Sequence, residues 1–193
     1  MKLFTGVLVA DVKLLPAVEE GLAQNYGPID HRSEIIPFTF TDYYETEMGR
    51  SLRRVFFSFE RLIDGNQLPG IKRNTNALEE QLAGLQTDVA RPVNLDPGYL
   101  ENAKVVLAST KNFYHRIYLG GGIFGEVTMH FRNNGFQFFP WTYPDYQSEK
   151  YQEFFLKMRE IYRAQLKTMC VVKQESPKGI RNADFGSRNS GLD

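Results

Sequence analysis

Between residues 105 and 139 the chain alternates apolar and polar positions, and two short tracts interrupt it, Gly120-Gly121-Gly122 and Asn133-Asn134-Gly135. A period of two sends successive side chains to opposite faces, and Gly or Asn-Gly steps supply the positive φ of hairpin turns. Residues 105–109, 113–119, 123–131 and 136–139 are therefore expected to be antiparallel strands. This block excludes an all-helical fold and makes a sheet the frame of the molecule.

The elements before it fit the same frame. Residues 2–10 read as a buried first strand in which Gly6 admits another segment closely. Pro16 suits the first turn of a helix that buries Val18 and Leu22 and ends at Asn25-Tyr26-Gly27. Residues 35–40 read as a strand, 42–49 (D-Y-Y-E-T-E-M-G) as an irregular acidic loop, and 54–59 as a further strand. Asn76-x-x-Glu79 has the form of a capping box, opening a short helix that buries Leu78, Leu82 and Leu85. Residues 93–95 form a fourth short strand, and Asp96-Pro97-Gly98 has the chemistry of a tight turn.

After Trp141, the positions Tyr151, Phe154, Phe155, Met158, Ile161, Tyr162, Leu166 and Met169 keep three-and-four spacing, which predicts a long amphipathic helix. The expected fold is α+β: a single twisted, largely antiparallel sheet with a ferredoxin-like β-α-β-β-α-β start, C-terminal hairpins, and helices packed on one face. It occupies one domain over 1–172. Residues 173–193, rich in Ser, Gly, Asn and Lys, are expected to form a flexible tail.

Composition narrows the partners. Lys plus Arg equals Asp plus Glu at 23 each, so no global field draws the chain to nucleic acid or an anionic membrane. The single Cys170 excludes an internal disulfide and a Cys-based zinc cage, and suits a reducing compartment. Asp11 ends the opening apolar run too early for a signal segment, and no stretch approaches the roughly 18 apolar residues of a membrane span. A cytoplasmic location is expected.

Hairpin parity locates the candidate site. With a three-residue loop at 120–122, Arg116 falls opposite Glu126 on one face, while His115 falls on the apolar face as a core residue. Arg116 with Glu126 is either a polar floor that holds a phosphate or carboxylate, or a solvated ion pair. Lys111, at the end of the 105–109 strand, and Asn94, beside the D-P-G turn, add a cation and an amide. Lys72 and Arg73 precede the expected helix start, where free N–H groups favour anions. Asp42, Glu45 and Glu47 lie within one loop, and such a cluster suits a hard cation such as Mg²⁺ or a general base. The P-loop pattern fails in Gly65–Gly70, because Ile71 precedes Lys72 and Arg73 stands where Ser or Thr is needed. G-x-G-x-x-G, G-x-S-x-G and H-E-x-x-H are absent as well.

Several of these stretches together resemble a bacterial family catalogued as domain of unknown function 4416. They are K-L-F-T-G-V-L, T-D-Y-Y-E-T-E-M-G, F-F-S-F-E-R-L-I, I-K-R-N-T-N-A-L-E, R-P-V-N-L-D-P-G-Y-L, A-S-T-K-N-F-Y-H-R-I-Y-L, G-I-F-G-E-V-T and W-T-Y-P-D-Y. The resemblance spans the chain up to the last helix and implies a small bacterial protein without an assigned activity. From the residues themselves the expectation is a site for a small phosphorylated or nucleotide-like anion. Lys72, Asn94, Lys111 and Arg116 would bind it, and Glu126, Asp42, Glu45 or Glu47 would be the catalytic candidates. The competing expectation is a non-catalytic interaction module, a homodimer or an RNA binder, using Tyr and Phe on the hairpin.

Overall fold

The computed structural model describes residues 1–85 and 89–175, the side chains of 171–175 excepted. Within them one antiparallel sheet is built from β1 (Lys2–Val9), β2 (Ile29–Arg32), β3 (Ile36–Pro37), β4 (Arg53–Leu62) and β5 (Val93–Leu100). It continues through β6 (Lys104–Ser109), β7 (Ile117–Gly120), β8 (Ile123–Arg132) and β9 (Gly135–Phe138). The helices are α1 (Leu15–Tyr26), α2 (Glu45–Met48), α3 (Leu68–Ala83) and α4 (Glu149–Glu175). Of the tail expected over 173–193, residues 173–175 continue α4, and the rest lies outside the described residues.

The strand order is β2-β4-β1-β5-β6-β8-β7, with β3 also on β4 and β9 also on β8. β1 sits between β4 and β5 and is antiparallel to both, as a ferredoxin-like unit requires. The β5–β6 pairing then carries the sheet on into the hairpins. The α+β class and the sheet are as the sequence predicts.

Alternation along β1 and β4 divides the core in two. Leu3, Val7 and Val9 join Val55, Phe57 and Phe59 under α1 and α3, where Val18, Leu22, Ile71 and Leu78 are buried. Phe4 and Phe56 face the other way, against Tyr151, Phe154, Phe155 and Met158 of α4. α1 and α3 therefore share one face, while α4 covers the opposite one, where Met48 of α2 also packs against Leu8, which corrects the expectation of a single helical layer. A helix this apolar needs a surface of its own, and the hairpin extension exposes one that α1 and α3 do not reach. Each such side chain contributes about 1.5–3 kcal/mol on full burial.

Local departures have local causes. β5 does not stop at Leu95 but runs through Asp96-Pro97-Gly98, all paired with β1. Register with β6 begins only at Gly98, so Pro97 has no β6 partner that needs its missing N–H. A Cβ on Gly98 would come within 2.4 Å of the Val106 carbonyl oxygen and 2.6 Å of the Phe4 ring, so glycine serves close packing rather than a turn. α3 starts at Leu68, eight residues before the expected Asn76, behind Asp64, whose backbone N–H donates to Gln67 Oε1. Asn76 and Glu79 are thus mid-helical, and Leu85 lies past the helix end, exposed. The 35–40 strand shrinks to β3, and β2 was missed because its polar residues serve buried partners. There Asp30 accepts from Lys2 Nζ and from Ser58 Oγ, the latter at 2.7 Å. Part of the acidic loop winds into α2.

Candidate functional site

The site lies on the α4 face, and Gly6 on β1 makes its floor possible. In register, Gly6 pairs with Asp96 on β5 and with Phe56 on β4. A Cβ at Gly6 would stand 3.2 Å from Arg54 Nη1. Lacking one, β1 leaves room for the Arg54 guanidinium to reach across to Asp96 Oδ2 at 3.1 Å. Arg54 is 3% exposed and packs over the Phe38 ring. Its Nη2 lies 3.9 Å from Asp145 Oδ2, and its Nε has no hydrogen-bond partner among the described residues.

Above this floor opens a hollow of about 560 Å³. Phe38, Phe40, Tyr43, Tyr44 and Tyr143 give it aromatic walls, while Arg54, Asp96, Lys111, Arg116, Glu126 and Asp145 give it charge. A second hollow of about 500 Å³ shares Asp96, Lys111, Arg116 and Tyr143 with it and extends toward Lys72 and Glu79 of α3. The two make one crevice with Lys111 and Arg116 at the junction.

Arg116 is held by four acceptors. Its Nε donates to Glu126 Oε2 at 2.7 Å, Nη1 to Ser109 Oγ at 3.1 Å and to the Lys111 carbonyl at 2.7 Å, and Nη2 to the Tyr143 hydroxyl at 2.7 Å. A guanidinium has five N–H groups, so one on Nη2 is left for a ligand. Lys111 donates to the Tyr43 hydroxyl and sits 4.6 Å from the centre of that ring, which leaves two ammonium N–H groups free.

Glu126 is buried, and its charge is already committed. His115 Nε2 lies 3.0 Å from the same Oε2 that takes Arg116, and Thr128 Oγ1 donates to Oε1 at 3.4 Å. It acts here as the anchor of Arg116. Arg116 meets Glu126 as hairpin parity expects, although the three-residue loop does not form: Gly120 pairs with Ile123 and the register shifts at Leu119, and His115 joins the pair instead of entering the core. Residues 113–116 form a turn closed by Arg116 N–H donating to the Phe113 carbonyl, so strand parity does not extend to His115. The His115 ring stacks on Trp141 at 5.1 Å.

Burial and charge tune the floor. Burial works against ionisation of Asp96, yet the neighbouring Arg54 and Lys72 and the Asn94 amide, donating at 2.7 Å, hold its carboxyl below the ordinary 3.8. Asp145 moves the other way, because desolvation outweighs Arg54 at its longer distance. Burial raises Tyr44 to about 12 and pushes Tyr143 up as well, so both keep their protons. Glu79 is also raised by burial, against the pull of Lys72 and Arg91.

The expected residues thus divide. Lys111, Arg116 and Glu126 meet in the main hollow, and Lys72 and Asn94 line the second. Lys72 is not at a helix start but buried mid-helix, donating to the Leu95 carbonyl at 2.6 Å. Asp42, Glu45 and Glu47 line neither hollow; Glu45 pairs with Arg50 and Glu47 with Arg91, each at 3.2 Å. Among the described residues no group of three or more His, Cys, Asp or Glu is placed to hold a metal ion. The tyrosines between those acids are what the loop brings to the site. Arg54, Asp96, Tyr143 and Asp145 were not singled out from sequence for binding. Arg54, a charge opening the apolar run Val55-Phe56-Phe57, was the available signal.

Residues 1–162 match a family model described as Domain of unknown function (DUF4416). No curated protein and no solved structure matches the chain.

Proposed function

The chain belongs to the DUF4416 family, which brings no assigned chemistry with it, and from that premise we propose that the crevice binds a small phosphorylated or nucleotide-like anion in the cytoplasm. The observation that carries this reading is the junction of the two hollows. There the Lys111 ammonium and an Arg116 guanidinium fixed by four hydrogen bonds both keep N–H groups unspent. A guanidinium held in place loses little freedom on meeting an anion, and the aromatic walls suit a planar or ring-shaped body. Tyr43, Tyr44 and Tyr143 would contact that body, the last two kept protonated by burial.

Thermal shift with inorganic phosphate, ribose 5-phosphate and nucleoside monophosphates tests the reading. A ligand at about ten times its Kd adds about 1.4 kcal/mol, or about 3–6 °C for a chain of this size. Lys111→Met should remove most of that rise. The rise is expected without Mg²⁺, because Glu45 and Glu47 are spent on arginines. If none of these anions raises Tm, the reading fails.

The hairpin supports a second reading, self-association, on its own observation. Tyr114, Ile117 and Tyr118 are 77%, 71% and 60% exposed, and β7 is the last strand of the sheet order. An apolar edge strand of this kind is a natural pairing surface for a second copy. Light scattering should give twice the chain mass, and Ile117→Lys should return it to the monomer. A monomeric native protein at about 100 μM would remove this reading.

A further inference from the structure

We infer that the ligand of the crevice is a phosphodiester, its singly charged phosphate at the junction, a ring-shaped body in the main hollow and a neutral, hydroxyl-bearing body in the second. The inference rests on the anion reading above and names the class of anion.

Position is the first observation. Lys111 and Arg116 do not close off the end of one hollow; they line both, where one opens into the other. Each hollow, at about 560 and 500 Å³, is by itself within the range of about 300–1,000 Å³ that houses a small ligand. A phosphate esterified on one side only would leave one of them without an occupant.

Charge is the second. Arg116 is paired with buried Glu126 at 2.7 Å, and Arg54 with Asp96 at 3.1 Å. The Asp96 side chain is 28% exposed and lines both hollows, so it turns a carboxylate toward them. Lys111 donates to the Tyr43 hydroxyl and pairs with no carboxylate among the described residues. The junction therefore keeps one uncompensated positive charge. A phosphodiester brings one negative charge, whereas a terminal phosphate brings about 1.5–2 at pH 7. The two free N–H groups of Lys111 and the one of Arg116 suffice for the two non-bridging oxygens of a diester.

The walls of the second hollow describe the second arm. Lys72, Asn76, Glu79 and Glu80 come from successive turns of α3 and form one stripe along it. Glu79 stands between Lys72 at 4.0 Å and Arg91 at 3.4 Å, so charges of both signs offset one another. Phe38 and Phe40, which wall the main hollow, do not reach this one. Interleaved donors and acceptors with little net charge fit a neutral body whose hydroxyls both donate and accept, as the sugar of a second nucleoside does.

Titration calorimetry on the full chain tests both halves of the inference with three probes, in an adenosine and a uridine series. They are the nucleoside 5′-monophosphate, its methyl ester, and the 3′,5′-linked dinucleoside monophosphate. The methyl ester has the charge of a diester but no second arm. It is expected to bind within about three-fold of the monophosphate in spite of its lost charge, and in at least one series the dinucleoside phosphate should bind about ten-fold more tightly than the methyl ester. The series that shows this gain identifies the ring. Asn76→Trp, at a half-buried position lining only the second hollow, should bring the dinucleoside phosphate down to the methyl ester and leave the monophosphate unchanged. Glu80→Trp, at an exposed position on the same stripe, repeats the test if the first variant does not fold. Lys111→Met should weaken all three probes. A methyl ester ten-fold weaker than the monophosphate in both series, no gain from the second nucleoside in either, or a gain that the tryptophan leaves in place overturns the diester and keeps the anion reading. Binding by none of the probes overturns the anion reading itself.

Discussion

Asp96 and Asp145 flank the same guanidinium and yet shift in opposite directions. Asp96, at 3.1 Å from Arg54 and with Lys72 and Asn94 near, sits below its ordinary value; Asp145, at 3.9 Å from Arg54, has too little favourable charge to offset its burial and sits above it. A depressed carboxyl contributes stability that is present above pH 3.8 and lost as pH falls through the folded value. A raised one does the reverse: its ionisation at neutral pH opposes folding, and protonation relieves that cost. Asp96→Asn leaves Arg54 buried without its nearest partner and should cost about 3 kcal/mol at pH 7, the loss shrinking below pH 3.8. Asp145→Asn should change pH 7 stability by under about 1 kcal/mol. Urea melts at pH 7 and at about pH 3.5 check both, and equal losses from the two would contradict the assigned directions. Single residues were legible only where strand geometry held. Arg116 and Glu126 were placed together correctly, since parity carries across the β7–β8 pairing. His115, one residue further into the turn, was not. Asp96 was hidden by a D-P-G tripeptide whose local chemistry reads as a turn, while its actual constraint, Val106 and Phe4 against Gly98, is distant in sequence.

At the scale of elements, β1 is where packing and site meet, and Gly6 is its critical position. A methyl there would stand 2.9 Å from the Phe56 ring and 3.2 Å from Arg54 Nη1. Gly6→Ala should therefore cost about 1–3 kcal/mol by overpacking and should weaken ligand binding together with stability, because Arg54 must withdraw from Asp96. Chemical denaturation and calorimetry on one preparation test this, and unchanged affinity would show that the floor tolerates the shift. Elements with a strong internal period were legible: β1, α1, β8 and α4 follow their sequence patterns. Those misjudged were set by partners instead. β2 looks too polar for a strand until Asp30 is seen against buried Lys2, which also donates to the Phe59 carbonyl at 2.8 Å. α3 starts early because Asp64 and Pro69 already supply a helix start upstream of Asn76.

The whole molecule is one sheet with a separate core on each side, and its strands tie the two together. β1 sends Leu3 and Val7 into one core and Phe4 into the other, and β4 does the same with Phe57 and Phe56. β5 contributes Leu95 to the first and Leu100 to the second. No core can lose its packing without loosening strands that the other depends on, so the chain should unfold as a unit. Leu22→Ala tests this from the far side. Leu22, on α1, is fully buried in the core opposite the one α4 covers, and its truncation should cost about 3–4 kcal/mol. The single Trp141 reports from the other side, its Nε1 donating to the Val127 carbonyl on β8 at 3.0 Å. If the sheet couples the cores, Trp141 fluorescence and far-UV circular dichroism should shift by the same amount in Leu22→Ala and remain superimposed. A fluorescence transition left at its native midpoint would mean that the hairpin half, with Lys111, Arg116 and Glu126, holds together independently of the ferredoxin-like half. The Arg54–Asp96 floor would then belong to one cooperative unit and the anion-binding junction to another, and ligand would stabilise the two unequally. Coincident transitions place floor and junction in one unit, so that ligand bound in the crevice raises a single Tm for the entire sheet.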